Sequence, residues 1–305
     1  MDTKYVKGKT MFTKVEEKHK FDYLDKNIET EIVIVGGGIT GCLLAYYLSE
    51  KNIKCVLLEK ERIGYGSTSI STALLQYELD SMVNKLEEVM KKDKIEKAYK
   101  LCLKALEDLD KIINKHGNKC EYIKSDILLY SAKKDDKKIL EYEFEFRKSI
   151  GLDVDFIDEN QKIFPFEIQA GIISKFGGAK INPYLLSLHL LEIAKDKSMQ
   201  VYENTKVNSI EYLEDEIIVK TNYENEIKCK KVIVATGYDT DLFTDRNFGT
   251  KSITYNIVTE KINDIKEYNN YIIRDTNSPY NYYRKTKDNR IIAGRRRYGC
   301  WRQKL

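Results

Sequence analysis

One stretch, from Glu31 to Glu59, constrains the fold of this chain more than any other. It reads EIVIVGGGITGCLLAYYLSEKNIKCVLLE, in which an apolar run, three glycines, an amphipathic segment and a second apolar run follow in order. This order predicts a strand at Ile32 to Val35, a helix at Ile39 to Glu50 and a strand at Cys55 to Leu58. The stretch therefore predicts a βαβ unit with a tight first turn.

The three glycines of this turn match the G-x-G-x-x-G spacing of a dinucleotide site. Gly36 suits the turn, Gly38 lets backbone approach a pyrophosphate, and Gly41 lets the helix pack closely on the strand. The helix N-terminus favours an anion through its unpaired N–H groups and its dipole. Glu59 ends the second strand, where a carboxylate can accept hydrogen bonds from a ribose diol. A Gly-rich surface turn is the alternative, and the candidate site residues are Gly36, Gly38, Ile39, Thr40, Gly41, Glu59 and Lys60.

A small-residue, hydroxyl-rich segment follows Glu59 and reads KERIGYGSTSISTALLQYELD. Because it comes directly after the ribose acid, we interpret it as a loop that offers hydrogen-bond donors to a cofactor. A Ser/Thr/Gly surface loop is the alternative. The candidate residues in this loop are Ser67, Thr68, Ser69, Thr72 and Ala73.

Apolar spacing predicts the elements beyond this loop. Two amphipathic helices are expected between Ser81 and Lys115, with a break near Lys92 to Lys94 and an end at Gly117. The other expected elements are helices at Asp135–Ser149 and from Pro183, and strands at Glu121–Ser131, Val154–Ile157, Ile172–Ser174, Gln200–Tyr202, Lys206–Tyr212, Glu216–Thr221 and Glu226–Val234.

Composition argues against several classes of function. Lys+Arg 52 against Asp+Glu 48 gives a dispersed net charge of +4, which gives nucleic-acid binding little support. The six cysteines form no C-x-x-C pair, and His19, His116 and His189 lie at no metal-ligand spacing. We find no secretory signal before Glu31 and no apolar run of about eighteen residues. We therefore expect a soluble, cytoplasmic chain with reduced thiols, no metal and no nucleic-acid partner.

The motifs together resemble the FAD-dependent D-amino-acid oxidase/glycine oxidase superfamily. The fingerprint with Glu59, the G-S-T-S-x-S-T loop and a later strand ending in Ala235-Thr236-Gly237 occur in that order. TYNIVTE and PYNYYRKTKDNRIIAG resemble substrate-domain strands of bacterial amino-acid and amine oxidases, including gamma-glutamylputrescine oxidases. The resemblance implies FAD as cofactor and an amine or amino acid as substrate, whose C–N bond is oxidised by hydride transfer to the flavin.

The resemblance also implies roles for residues outside the fingerprint. Val207 matches a backbone contact to adenine, and Ala235, Thr236 and Gly237 match the strand end that returns beside the cofactor. Arg284 lies in the Y-x-R-x-T strand that lines the substrate cavity, so it is the candidate for a guanidinium clamp on a substrate carboxylate. A surface arginine on an edge strand is the alternative interpretation.

The implied fold is an α/β protein with a Rossmann-like, GR2-type FAD-binding domain and an inserted, mainly antiparallel α+β substrate domain. NAD as the only cofactor is less favoured, because an NAD dehydrogenase would continue as a regular βαβ series. The oligomeric state is not predicted. The expected segments are an N-terminal extension at 1–30, the FAD-binding domain at 31–80 and 165–244, the substrate domain at 81–164 and 245–294, and a basic tail at 295–305.

The stretch from Gly294 to Lys304 departs from the family pattern, which continues with a second glycine, an acidic run and a flavin-side segment. It reads GRRRYGCWRQK, and one coding sequence for it regains the glycine and acids when a single nucleotide is deleted. We therefore expect a frameshifted or truncated product that retains flavin weakly and is impaired in activity. A non-catalytic remnant that binds only the ADP part of a dinucleotide is the alternative function, and a basic tail for an anionic partner is the less favoured explanation of the tail.

Overall fold

The computed structural model describes residues 10–13, 21–159, 163–240, 243–246, 254–266 and 270–295. The expected frameshifted tail, apart from Arg295, lies outside the described residues. So does most of the expected N-terminal extension.

The described residues form six α-helices and sixteen strands. The α-helices are Ile39–Glu50 (α1), Ser67–Ile70 (α2), Val83–Leu86 (α3), Lys92–His116 (α4), Lys137–Ser149 (α5), which a 3₁₀ turn at Lys134–Asp136 precedes, and Pro183–Lys195 (α6). The strands are Ile28–Glu29 (β1), Ile32–Val35 (β2), Cys55–Leu58 (β3), Leu74–Gln76 (β4), Ile123–Ser131 (β5), Val154–Asp158 (β6), Ala170–Lys180 (β7), Gln200–Tyr202 (β8), Val207–Tyr212 (β9), Ile217–Thr221 (β10), Glu226–Cys229 (β11), Lys231–Val234 (β12), Tyr255–Val258 (β13), Ile272–Asp275 (β14), Asn281–Lys285 (β15) and Ile291–Arg295 (β16).

The chain forms two compact units, Met1–Ser71 with Asn182–Phe248 and Thr72–Ile181 with Gly249–Leu305. The sequence assigned 72–80 and 165–181 to the same domain as the fingerprint. In the structure these segments fall in the second unit, because β4 and β7 pair with each other and β7 pairs with β5.

The first unit contains a parallel sheet of order β12-β2-β3-β8 and a second sheet of order β1-β11-β10-β9. Val33 on the central strand is in register with both Val56 and Val232. These apolar strands share one core, in which Leu24 and Val219 are fully buried. Helix α1 packs on α6 as well as on β2 and β3. The fingerprint therefore lies on a rigid, buried support.

Helix α6 begins where the sequence predicts it, at Pro183. The side-chain oxygen of Asn182 accepts the N–H groups of Tyr184 and Leu185, both at 3.1 Å. Proline suits the first helical position because its ring fixes φ and its missing N–H would have no helical partner there. The helix is buried along most of its length, so it joins the core of the first unit.

The second unit is built on one mixed sheet of order β13-β16-β15-β14-β5-β7-β4, with β6 also paired to β7. Among the pairings of this sheet that the described residues form, β14–β5 is parallel and the others are antiparallel. Side chains from α3, α4 and α5 form one core with β5 and β7, in which Val83, Tyr99 and Leu140 are fully buried. The predicted antiparallel α+β architecture is therefore present in this unit.

Two predicted strands differ from the structure. The predicted strand Glu226–Val234 divides at Lys230, because the N–H groups of Lys230 and Lys231 both donate to the Glu31 carbonyl and turn the chain from one sheet into the other. The predicted strand Ile172–Ser174 covers only part of β7, which runs from Ala170 to Lys180. The rest of the strand was not predicted, because small residues such as Gly178 interrupt the apolar pattern. The fold requires a glycine there, since an added Cβ would lie 2.4 Å from the Leu75 carbonyl oxygen.

Candidate functional site

The first unit contains a cleft at the carboxyl ends of β2, β3 and β12. It consists of two adjoining cavities of about 510 and 540 Å³, which share five lining residues. Ligands of open parallel sheets bind at this end of the strands. The shared lining residues are Gly36, Glu59, Lys60, Thr236 and Asp239.

Gly36 and Gly41 are required by close backbone contacts at the first turn. Gly36 has a φ of +110°, and a Cβ there would lie 2.5 Å from the Ala235 carbonyl oxygen. A Cβ on Gly41 would lie 1.9 Å from the Gly36 carbonyl oxygen. Gly38 differs, because a Cβ there would meet only the Thr68 hydroxyl, at 3.4 Å. Gly38 therefore keeps space open beside the helix instead of relieving a clash.

The N-terminus of α1 opens onto this space. Its first helical hydrogen bond runs from the Cys42 N–H to the Gly38 carbonyl at 3.0 Å, so the preceding N–H groups have no helical acceptor. The Ile39 N–H donates to Thr68 Oγ1 at 3.0 Å, while Thr40 and Gly41 supply further N–H groups at this end. The first turn carries no acidic residue. This end of the helix therefore suits an anion.

Glu59 is held by the turn that it follows. Its Oε2 accepts the Gly37 N–H at 2.7 Å, and its Oε1 accepts the Glu61 N–H at 2.9 Å. Burial raises the pKa of Glu59, while these N–H groups and the Lys60 charge oppose the increase. Each carboxylate oxygen keeps a second acceptor site, so Glu59 can still accept a hydroxyl group. The sequence did not predict that Glu59 also fixes the glycine turn.

Val207 lies in the cavity on the far side of Glu59, where the walls are largely apolar. Val35, Leu58 and Phe243 also line this cavity. The segment before Val207 is fixed to the end of β3, because the Thr205 N–H donates to the Glu59 carbonyl at 2.9 Å. An apolar slot next to a carboxylate suits a flat heterocycle joined to a ribose. Lys206 and Asn208 complete the lining of this cavity.

The strand end Ala235-Thr236-Gly237 lines the second cavity. The Ala235 N–H donates to the Val35 carbonyl at 2.8 Å, which continues the β12–β2 pairing into the site. Thr236 Oγ1 is buried and has no hydrogen-bond partner among the described residues. Since buried polar atoms are normally satisfied, this hydroxyl suits a polar group of a ligand.

Asp239 also lines the cleft, although the sequence motifs did not predict it. Its Oδ2 lies 2.5 Å from Lys60 Nζ, and both side chains are partly exposed at the cleft. This ion pair raises the pKa of Lys60. Its position directly after the Ala235-Thr236-Gly237 strand end is the sequence signal that could have identified Asp239.

The hydroxyl-rich segment is divided by the structure. Ser67 and Thr68 line the cleft from α2, which forms one helical turn instead of the expected loop. Ser69 is fully buried, and its hydroxyl donates to the Gly66 carbonyl at 3.2 Å. Thr72 and Ala73 belong to the second unit. Of the five candidates, two therefore line this cleft.

Arg284 lies on β15 in the second unit, between β14 and β16. It is 3% exposed, and it donates to the carbonyl oxygens of Thr72 at 2.7 Å and Ile181 at 3.0 Å. Burial lowers its pKa to about 10, and the Glu121 charge opposes the decrease. The alternative of a surface arginine on an edge strand is therefore wrong, while its role as a carboxylate clamp stays a prediction.

The described ranges lack both the side-chain clusters of a metal site and the long apolar helices of a membrane span. Among these residues no group of three or more His, Cys, Asp or Glu side chains could hold a metal ion. In the same part of the chain, no helix combines the length and the apolar character needed to cross a membrane.

The sequence and fold are similar to those of known proteins. A family model described as "DAO: FAD dependent oxidoreductase" matches residues 31–303. The gamma-glutamylputrescine oxidoreductase of Escherichia coli is 23% identical over 283 residues, which are 90% of this chain and 66% of that protein. The chain spans 42% and 66% of the length of the first two curated relatives it matches.

Two solved structures show the same fold. Glycine oxidase from Geobacillus kaustophilus has a TM-score of 0.70 at 17% identity, over 88% of this chain and 71% of that one. L-alpha-glycerophosphate oxidase from Mycoplasma pneumoniae, solved with FAD bound, has a TM-score of 0.64 at 18% identity, over 88% and 71%. At these identities the likeness concerns the fold alone.

Proposed function

Because the chain belongs to the DAO family of FAD-dependent oxidoreductases, we propose that it binds FAD in the cleft of the first unit and oxidises the C–N bond of an amine or amino acid. The cleft carries the FAD-binding part of this proposal. Within one unit it combines an open helix N-terminus, a carboxylate and a buried hydroxyl that has no hydrogen-bond partner among the described residues.

Different residues of the cleft would hold different parts of the cofactor. The N–H groups at the start of α1 and the space above Gly38 would receive the pyrophosphate, because this end of the helix is positive and uncrowded. Glu59 would accept hydroxyl groups of the adenosine ribose. The apolar cavity at Val207 and Phe243 would hold the adenine. Thr236 would donate a hydrogen bond to a phosphate or ribityl oxygen.

When bound, FAD would supply the hydride acceptor, and the protein mainly positions and polarises the reactants. Such a reaction requires no metal ligand and no side-chain base for a neutral amine. An amine or amino-acid substrate is supported by the resemblance of the β13, β15 and β16 segments to amine oxidases and by the similarity to a gamma-glutamylputrescine oxidoreductase. Arg284 remains the candidate for contact with a substrate carboxylate.

Anaerobic titration of the FAD-loaded chain tests the reaction. We expect at least one amine or amino acid, from a panel that includes glycine, L-proline and gamma-glutamylputrescine, to bleach the flavin absorbance. Bleaching by glycerol 3-phosphate alone would show that the C–N assignment is wrong. Binding of ADP without flavin reduction by any donor would support the non-catalytic alternative.

Calorimetric titration of ADP and FAD tests the cleft itself. Glu59→Ala should weaken both ligands about ten- to a hundredfold, because it removes charge-assisted hydrogen bonds that contribute roughly 1.5–3 kcal/mol. Glu214→Ala is the matched control, since Glu214 is an exposed acid in a turn of the same unit. Equal losses in the two variants would show that the ribose site is placed wrongly.

A further inference from the structure

The second unit contains a cavity of about 740 Å³ that the proposed function does not use. It is lined by residues of β5, β7 and β15 and by segments near residues 163 and 270. The described part of this lining contains four lysines and one carboxylate, next to several apolar side chains. The charged lining residues are Lys124, Lys180, Lys285, Lys287 and Asp126.

Lys180 is the buried cation of this cavity. It ends β7, the residue is 3% exposed, and its Nζ donates to the Asn270 carbonyl at 2.5 Å. Within the described residues no carboxylate pairs with it. Burial lowers the pKa of Lys180 to about 8, and the charges of Lys285 and Arg284 contribute to this shift. A buried ammonium among other cations is costly unless an anion compensates for it.

Two of the other lysines in the lining already have a carboxylate nearby. Lys124 pairs with Asp110 at 2.7 Å, and Lys287 lies 4.0 Å from Glu121. Lys285, like Lys180, has no ion pair with any described carboxylate. Two cations of the cavity are therefore left for a ligand.

Asp126 is the one carboxylate among the described lining residues, and it is already engaged. Asp126 accepts the Phe176 N–H at 2.8 Å through its Oδ1. This bond lies where the β5–β7 register shifts between Ser125 and Ile127.

The same bond is made by an aromatic residue whose backbone is strained. Phe176 has a φ of +46°, which is unfavourable for a bulky residue, and it is 66% exposed. Ile163, also in the lining, is 52% exposed. Apolar surface is thus open in the same cavity as the unpaired lysines.

We propose that this cavity binds a small organic carboxylate, whose anionic group pairs with Lys180 and Lys285 and whose apolar body contacts Phe176 and Ile163. An inorganic anion would satisfy the lysines and leave the apolar surface exposed. A neutral apolar molecule would leave the buried charge uncompensated. The inference stands independently of the flavin chemistry proposed above.

Titration calorimetry of the full chain with 3-phenylpropionate tests this site. The probe has no amine to oxidise, so its binding is independent of flavin reduction. We expect saturable binding that Lys180→Met and Lys285→Met each weaken about ten- to a hundredfold. Lys175→Met is the matched control, because Lys175 is on the same strand but pairs with Asp155 outside the lining.

Two further ligands decide the chemical class. The neutral analogue 3-phenylpropan-1-ol should bind at least about tenfold more weakly than the carboxylate, as expected when a charged pair is lost. Inorganic phosphate should also bind more weakly, because it makes no apolar contact. Equal affinity for either analogue, no saturable binding by the unchanged protein, or unaltered affinity in both lysine variants would overturn the proposal.

Discussion

Replacing Arg147 by methionine should be among the most destabilising single changes in the second unit. Arg147 is fully buried, and its Nε donates to Glu143 at 2.8 Å while its Nη1 donates to Glu78 and to Ser174. Arg147→Met would leave two buried carboxylates without this partner. Breaking a buried ion pair from one side costs about 3–5 kcal/mol.

The two carboxylates would keep different hydrogen-bond partners in this variant. Glu143 would still accept the Val83 N–H at 2.7 Å and the Tyr99 hydroxyl at 2.6 Å. Glu78 would keep Ser174 and an Arg274 nitrogen at 3.6 Å. We therefore expect most of the loss to come from Glu78.

The pH dependence gives this prediction a signature. Burial acts to raise the pKa of Glu78, but the charges of Arg147 and Arg274 outweigh it and hold the pKa below its ordinary value. A carboxyl whose folded pKa is lowered stabilises the fold above its unfolded pKa and loses that contribution as the pH falls through the folded pKa. The gap between the unchanged protein and Arg147→Met should therefore be largest near neutral pH and shrink below about pH 4.3.

Hydrogen exchange of the β5, β7 and α5 amides measures the local opening free energy of the second unit, so the test does not require both units to unfold together. Lys138→Met, an exposed change on the same helix, should alter the opening free energy by no more than about 0.5 kcal/mol. Adding Glu78→Gln to Arg147→Met should restore part of the loss. A loss below about 1 kcal/mol, or a gap that does not change with pH, would refute the reasoning.

Three further predictions concern the cleft and Arg284. Because burial raises the pKa of Glu59, ADP affinity measured by calorimetry should fall as the pH is lowered through that pKa, and Glu59→Gln should remove this part of the pH dependence while leaving the part that comes from titration of the ADP phosphate. Gly41→Ala should weaken ADP binding at least about tenfold and lower stability by about 1–3 kcal/mol, whereas Glu214→Ala, an exposed change in the same unit, should change neither; equal effects would contradict the packing argument. Arg284→Ala should lower stability in urea by about 1–3 kcal/mol for each carbonyl left unpaired and leave ADP affinity unaltered, so a loss of ADP affinity would show that the cofactor is placed wrongly.

The sequence alone determined the βαβ unit and the glycine turn. The predicted bounds of β2, α1 and β3 agree with the structure, because contiguous apolar residues and glycines specify these elements locally. The start of α6 was predictable for the same reason, since Asn182 and Pro183 act within one helical turn. Membership of the FAD-dependent family was also predictable, because its motifs are short stretches that occur in a fixed order along the chain.

Only the tertiary structure decided the contacts between residues distant in sequence. The division of Glu226–Val234 between two sheets depends on the Glu31 carbonyl, and the Lys60–Asp239 ion pair joins two separate strand ends. The predicted contact of Arg284 with a substrate stays a prediction, and its hydrogen bonds to the Thr72 and Ile181 carbonyls join segments that lie far apart along the chain. Such contacts leave no periodic pattern in the sequence, because each one depends on which strands become neighbours in the folded sheet.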